Sequence, residues 1–349
     1  MKDENPQQQH MIDLRSDTVT RPTPEMRAYM LEADVGDDVF EEDPSLNNFQ
    51  QRMAELFGFE SGLFVPSGTM GNQLGLMVLT QPCDEVILDE QAHIFNYESS
   101  AAAVLSSVQL RTLPGHHGLL SPDQIKPAIR NARDWEPTSK VIAVEHTANK
   151  GGGTCYSMET LREISNIADE YGLYFHIDGA RIWNAVVATG QKPEEFGELA
   201  DTLSVCFSKG LGAPVGSMIL GSEEHIKKAR KLRKVLGGGM RQAGILAAAA
   251  EYAVDHHWKL MEDDHRRAKK LSEVIQSCSS LKIDPDRVQS NIVIFDVTDR
   301  SAEQALEELK NESVRMVPFG PNTIRATFHI QVNDNDLEHV SRTFEKLFN

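Results

Sequence analysis

Basic residues are in short supply. The 349-residue chain sets 35 Lys and Arg against 52 Asp and Glu, a formal net charge of −17. That deficit excludes the cationic face that a nucleic-acid or anionic-membrane protein needs, so no nucleic acid and no membrane is expected as partner, and a small molecule is. Cysteine is scarce too. Cys83, Cys155, Cys206 and Cys278 are widely spaced and form no CxxC pair, so neither a disulfide framework nor a structural zinc site is expected, and no metal ligand set is assigned. Long apolar runs are missing: the longest stretch free of Asp, Glu, Lys, Arg and His, 61–83, is broken by Pro66, Gly68, Gly71 and Gly75 and makes a poor membrane span. The first ten residues lack the apolar segment of a signal peptide. They read as a disordered tail, 1–10, and the expected location is cytoplasmic.

What is present is an ordinary globular composition, 40% hydrophobic and 25% charged. At this length one large domain with a smaller one is the natural expectation, since a single core stops growing at roughly 250–300 residues. The pattern predicts a helix from Pro24 with Met26, Met30 and Ala33 on one side. A second runs over 45–57 with Leu46, Phe49, Met53 and Leu56, stopped by Gly58. Short apolar runs at 62–65, 84–88, 140–144, 173–177 and 203–207 read as strands. Between two of them lies an amphipathic helix over 157–171, with Ser157 as N-cap and Gly172 as stop. Strand–helix–strand repetition means an α/β fold with a mostly parallel sheet covered on both faces. Past His256 the rhythm changes to a charged helix over 263–278, a strand at 291–297, a helix from Ser301 with Gln304 closing a capping box, a strand at 323–329 and a helix over 334–348. The expected division is therefore a large unit, 11–255, and a small α+β unit, 256–349. The segment 243–254 is apolar over most of its circumference, as a buried or interface helix would be.

Two strand ends carry chemistry. In Phe175-His176-Ile177-Asp178-Gly179-Ala180-Arg181 an acid and an arginine follow an apolar strand, at the carboxyl end where open α/β sheets bind ligands. Taken alone, Asp178 reads first as a helix cap. In Val205-Cys206-Phe207-Ser208-Lys209-Gly210-Leu211-Gly212 a lysine leaves a buried strand amid small residues. A lysine taken alone is a surface charge, but a desolvated amine becomes a nucleophile toward aldehydes. Lysine, aspartate and a glycine-rich turn together are the parts of a pyridoxal 5'-phosphate site.

The chain from Met11 nearly to its end resembles the threonine aldolases of the β-eliminating lyase group. The motifs are Asp13-Leu14-Arg15-Ser16-Asp17-Thr18-Val19-Thr20-Arg21, Pro66-Ser67-Gly68-Thr69, Glu90-Gln91-Ala92-His93, His176-Ile177-Asp178-Gly179-Ala180-Arg181, Ser208-Lys209-Gly210-Leu211-Gly212 and Gly237-Gly238-Gly239-Met240-Arg241-Gln242. The resemblance implies the fold-type-I architecture of pyridoxal phosphate enzymes. It gives Lys209 to covalent attachment of the cofactor, Asp178 to its pyridine nitrogen and His93 to stacking on its ring. It gives Gly68, Thr69, Arg181 and Arg241 to cofactor binding, and Ser16, Arg181 and Arg325 to the substrate carboxylate, with His329 at a family spacing. It also implies a homo-oligomer, a dimer or tetramer.

One segment departs from the family. Where the family reads Glu-Asn-Thr-His-Asn, this chain has Glu145-His146-Thr147-Ala148-Asn149, so the customary histidine is Ala148 and His146 becomes a candidate substrate contact. The expected activity is cleavage of threonine or allo-threonine, β-hydroxy-α-amino acids, to glycine and an aldehyde, with His93, His146 or a water taking the hydroxyl proton. The alternatives are β-elimination or transamination on the same scaffold, and a non-catalytic pyridoxal phosphate binder.

Overall fold

A computed structural model of the chain describes residues 10–131 and 133–349, so the expected tail lies outside the described residues except for His10. The chain starts with β1 (Ile12–Asp13), followed by α1 (Pro24–Leu31) and α2 (Pro44–Phe57). Next come β2 (Ser61–Val65), α3 (Gly68–Leu79), β3 (Asp84–Asp89), α4 (His93–Asn96), β4 (Gln109–Leu113), α5 (Pro122–Ile125) and β5 (Thr138–Glu145). Then α6 (Met158–Tyr171), β6 (Tyr174–Gly179), α7 (Ile182–Thr189), β7 (Thr202–Cys206), β8 (Ser217–Gly221), α8 (Glu223–Val235) and α9 (Gly244–His256) complete the large unit. The small unit holds α10 (Met261–Ser277), β9 (Leu281–Ile283), β10 (Ile292–Val297), α11 (Ala302–Asn311), β11 (Val314–Arg315), β12 (Val317–Pro318), β13 (Thr323–Thr327) and α12 (Asp334–Phe348).

The large sheet has seven strands in the order β2-β8-β7-β6-β5-β3-β4. Strands β4, β3, β5, β6 and β7 run parallel, while β8 is antiparallel to both β2 and β7. This is the fold-type-I architecture read from the sequence, with two strands, β4 and β8, that the reading did not place. The helix over 157–171 is α6, capped by the Ser157 side chain on the Thr160 amide and stopped by Gly172 at φ 64°.

Period-two alternation divides the core. Ile142, Val144, Phe175, Ile177, Leu203 and Val205 face a cluster containing α2, α6, α7 and α9, whereas Val86, Leu88, Val141 and Ala143 face α3 and α8. The apolar circumference of α9 is consumed within the chain: Ala247, Ala249, Ala250 and Ala253 are buried, and Ile245 is exposed.

The small unit has an antiparallel sheet, β12-β13-β10-β9, with its own cluster from α10, α11 and α12. Ile12 and Leu14, placed by the sequence in the large unit, belong to that cluster, and β1 pairs in parallel with β11. A two-residue strand carries no periodicity from which its partner could be read.

Candidate active site

The site is assembled at the carboxyl edge of the parallel strands. Register sets Glu145 at the end of β5 opposite Asp178 of β6, and Asp178 opposite Ser204 of β7. Lys209 follows β7 by three residues, and its Nζ lies 3.8 Å from Cys206 Sγ. Helix α3 meets this edge with its N-terminus. Ser67 caps it by accepting the Met70 amide at 3.2 Å, and the amides of Gly68 and Thr69, in its first turn, have no helical carbonyl behind them and are available to an anion. A Cβ on Gly68 would meet Cys206 Sγ at 2.6 Å, and one on Gly71 would meet Ser204 Oγ at 2.5 Å. Glycine is what lets the helix end rest directly on β7. Gly68, Thr69, Asp178 and Lys209 are thereby gathered at one edge.

Asp178 is buried. Its Oδ2 accepts from Asn72 Nδ2 at 2.8 Å and its Oδ1 from the Ala180 amide at 3.1 Å. The same Asn72 nitrogen donates to Glu98 Oε1 at 2.8 Å. Facing them, His93 pairs through Nδ1 with Glu98 Oε1 at 2.9 Å, while its backbone amide donates to Glu145 Oε2 at 2.9 Å. Burial opposes protonation of His93, but the hydrogen bond to Glu98 and the charges of Asp178, Glu98 and Glu145 outweigh it and hold its pKa above the ordinary histidine value. Glu145 is pushed up to about 7, by burial first and by the neighbouring Asp178 charge second.

Two arginines complete the basin. Arg181 donates through Nε and Nη2 to the two oxygens of Asp17, each at 2.7 Å, with both residues buried. Burial pushes the Asp17 carboxyl up, and Arg181 more than reverses this, leaving it at about 2. Arg325 donates to Asn149 Oδ1 at 2.8 Å and to the Arg15 carbonyl at 3.0 Å, and stands 4.9 Å over the Phe319 ring. Its Nε is buried without a partner. Burial and then the Arg181 charge bring its pKa down to about 10, as expected of two buried cations set close together. Ser16 sits between Arg15 and Asp17, the residues the two arginines grip, and its Oγ accepts from the Thr18 hydroxyl at 2.8 Å.

Four further residues singled out by the sequence are placed as follows. His146 does not reach this basin. Alternation sends Glu145 to the His93 side and His146 to the other, where its buried Nε2 meets Gln191 Oε1 at 2.9 Å and its Nδ1 accepts the Tyr156 amide at 3.3 Å. Burial brings its pKa down to about 4. Arg241 turns its exposed guanidinium to Asp37 at 2.9 Å rather than to the cradle. Ala148 is buried against the turn at Gly118, whose Cβ would lie 2.8 Å from the alanine's own. His329 donates from Nε2 to the Asp13 carbonyl at 2.8 Å, within the small unit's edge.

Sequence reasoning missed Asp17, Asn72, Glu98, Glu145 and Asn149. Asp17 and Asn72 lie inside or beside recognisable motifs, so the missing signal was their geometry. Glu98 follows His93 by five residues across a short helix and a turn, a spacing with no regular period.

The residues present fit pyridoxal phosphate. An anion cradle that a Cβ at Gly68 would fill, an amine beside it, a buried carboxylate for a ring nitrogen and an aromatic imidazole facing that carboxylate are the four contacts the group needs. The chain also matches known proteins. The sequence profile of the beta-eliminating lyases covers residues 13–298. The chain is 38% identical to low-specificity L-threonine aldolase 1 of Arabidopsis thaliana over 96% of each chain. It is 37% identical to the low specificity L-threonine aldolase of Escherichia coli strain K12 over 95% of this chain and 97% of that one. In structure it superposes on a threonine aldolase from Leishmania major with a TM-score of 0.83 at 19% identity, covering 97% of this chain and all of the other. The family profile and the two curated relatives place the chain in the beta-eliminating lyase family, among its threonine aldolases.

Proposed function

We propose that the chain is a pyridoxal phosphate-dependent lyase that cleaves L-threonine and L-allo-threonine to glycine and acetaldehyde. The observation that carries this is the pairing of Asp178 and Lys209 at adjacent strand ends with a two-arginine basin on the other side, Arg181 on Asp17 and Arg325 with an unpartnered Nε. A lyase acting at an amino acid's Cα needs both halves.

Gly68 and Thr69 amides would hold the cofactor phosphate, and Lys209 would be the residue that attaches it. Asp178, fixed by Asn72 and the Ala180 amide, keeps the ring nitrogen protonated. When bound, the cofactor supplies the electron sink for the pair released at Cα. Arg325 and Arg181, with Ser16, would grip the α-carboxylate and so fix the direction of the substrate's Cα, whose Cα–Cβ bond this reaction breaks. His93 receives the β-hydroxyl proton as that bond breaks. His146, held in the core on the far face of β5, takes no part.

We also read the enzyme as a cytoplasmic homo-oligomer. Leu31, Phe40 and Val235 are exposed apolar side chains, and Arg230 of α8 hydrogen-bonds to Asp38 beside Phe40, which gathers part of that surface. No helix of the described residues is long and apolar enough to cross a membrane.

One assay tests the activity. The cofactor-loaded protein is incubated with each threonine stereoisomer, and glycine, aldehyde and keto acid are quantified. Equal glycine and aldehyde support the reading. Keto acid with ammonia identifies an eliminating lyase instead, and no product identifies a binder.

A further inference from the structure

Glu98 is a carboxylate for which the reaction just described has no use, yet it is among the most enclosed groups in the molecule. Its side chain is fully shielded from solvent, while the His93 ring it touches is one-third exposed. Oε2 accepts from Gln73 Nε2 at 2.6 Å, and Oε1 accepts from Asn72 Nδ2 at 2.8 Å and faces His93 Nδ1 at 2.9 Å. Asn72 must present its nitrogen here, because its two neighbours, Glu98 Oε1 and Asp178 Oδ2, are both acceptors. Its Oδ1 is then left for His176 Nε2 at 3.4 Å. The amide is locked from three sides, and Glu98 is locked by the amide.

We propose that Glu98 is the positioning residue for His93: it holds the imidazole by Nδ1–H and leaves Nε2 as the basic nitrogen offered to the substrate's β-hydroxyl. The logic is that of a carboxylate-oriented general base. A neutral imidazole exists as two tautomers, and only the one with a bare Nε2 can take a proton at that atom. An acceptor fixed at Nδ1 selects that tautomer and stabilises the imidazolium formed when the hydroxyl proton arrives. The proton moves from the substrate oxygen to Nε2 as the Cα–Cβ bond breaks and the oxygen's electron pair forms the aldehyde C=O. Asn72 adds a second consequence, because it ties the base's anchor to Asp178, so ring nitrogen and base are held by one amide. The groups around His93 are Glu98 after α4, Glu145 at the end of β5, Asp178 of β6, Asn72 of α3 and its own Tyr97, whose ring has the Lys150 ammonium 5.8 Å away. Of these, Glu98 alone contacts the imidazole nitrogen Nδ1.

The inference rests on the aldol reading for its function, but not for its structural half, so the two are tested apart. Histidine-labelled protein, with and without cofactor, is examined by nitrogen NMR, and His93→Asn identifies the resonance. Wild-type His93 is expected in the Nδ1–H tautomer when neutral; an Nε2–H tautomer overturns the proposal whatever the enzyme turns over, and the tautomer itself is read on the wild-type protein, the variant serving only to assign the resonance. Glu98→Gln in the loaded enzyme is expected to lower kcat about ten- to thousand-fold and to move the acid limb of kcat/KM to lower pH, because removing the anion lowers the pKa of His93. KM and cofactor affinity should stay within about threefold, since neither the arginines nor the cradle is touched, and Glu98→Asp should recover part of the loss. An unmoved acid limb in Glu98→Gln refutes the role, as does loss of cofactor in place of loss of kcat. If the wild type makes keto acid and no aldehyde, the aldol reading fails while the tautomer result stands.

Discussion

Replacing Asp17 with asparagine removes one charge and keeps the shape, and the structure says what should follow. Asp17 and Arg181 are a buried bidentate pair at 2.7 and 2.7 Å, with Asn291 Nδ2 also 3.3 Å from the carboxylate. Burial raises the Asp17 pKa and the Arg181 charge overcomes it, giving a fall from 3.8 to about 2. At about 1.4 kcal/mol per pH unit that fall corresponds to about 2 kcal/mol of folded-state preference for the ionised form. The folded pKa is depressed, so this stabilisation is complete above pH 3.8 and is lost as pH falls through about 2. Asparagine also leaves a buried guanidinium without its counterion, which raises the expected cost to about 3–5 kcal/mol. Urea unfolding of the two proteins near neutral pH should therefore differ by at least about 2 kcal/mol, and the difference should not change between about pH 7 and pH 5. Arg181, no longer held by two hydrogen bonds, should also bind the substrate carboxylate less well, so that KM rises more than kcat falls. A variant within about 0.5 kcal/mol of wild type, with KM unchanged, would refute the premise that this pair carries the basin.

Lys209→Ala should abolish the visible absorbance that borohydride fixes to the wild-type protein; peptide mapping of the reduced protein must return Lys209, and another lysine would move the site. Asp178→Asn should retain cofactor by absorbance and lose activity by about a hundredfold or more, because an amide cannot keep the ring nitrogen protonated. His146→Asn should be nearly silent in kcat yet lower the melting temperature, since it breaks buried contacts to Gln191 and the Tyr156 amide worth about 1–3 kcal/mol. His146, His176 and His265 are all held near pKa 4 by burial, so each binds a proton in the unfolded chain and not in the folded one below about pH 6.5. Their share lowers the melting temperature towards pH 4, opposed by Glu145 and Asp264, whose carboxyls, raised to about 7 and about 8, are protonated in the folded state first.

How much of this was legible depends on what kind of signal each residue leaves. The run from Ser157 to Gly172 states its helix outright, with a cap, a buried stripe and a left-handed stop. Asp178 and Lys209 are legible because an ionisable group directly after an apolar run is improbable unless something there needs it. The strand β8 was missed because it begins among small residues and pairs antiparallel, outside the strand–helix rhythm that revealed its neighbours. His146 was misplaced because the motif fixed its position in the chain but not its side of the sheet. The alternation continuing from Ala143 to Glu145 gives the His93 face to the glutamate, and a histidine one residue on is bound for the core. Glu98 has no regular spacing from His93, and the link between Glu98, Asn72 and Gln73 spans 25 or 26 residues while that between Asn72 and Asp178 spans 106, so the motif that holds Asn72 says nothing of what it touches.

The N-terminal stretch shows why the motif around Ser16 matters although it contributes so little regular structure. Ile12 and Leu14 are built into the small unit's core, and the Asp13 and Arg15 carbonyls are met by His329 Nε2 at 2.8 Å and Arg325 Nη2 at 3.0 Å. Two residues later Asp17 holds Arg181 of the large unit, and Thr20 Oγ1 donates to the Lys209 carbonyl at 2.9 Å. One short segment therefore touches Arg181, Arg325 and the backbone of Lys209. Such a segment transmits position rather than contributing a large buried area, because each of its contacts is a hydrogen bond or ion pair of fixed direction. The spacing Asp13, Arg15, Asp17 suits that bridging role. The strand ends at Asp13 and the chain bends at Arg15 into a 3-10 turn over Asp17–Val19, so the carbonyls up to the bend meet the small unit and the acid that opens the turn meets the large one.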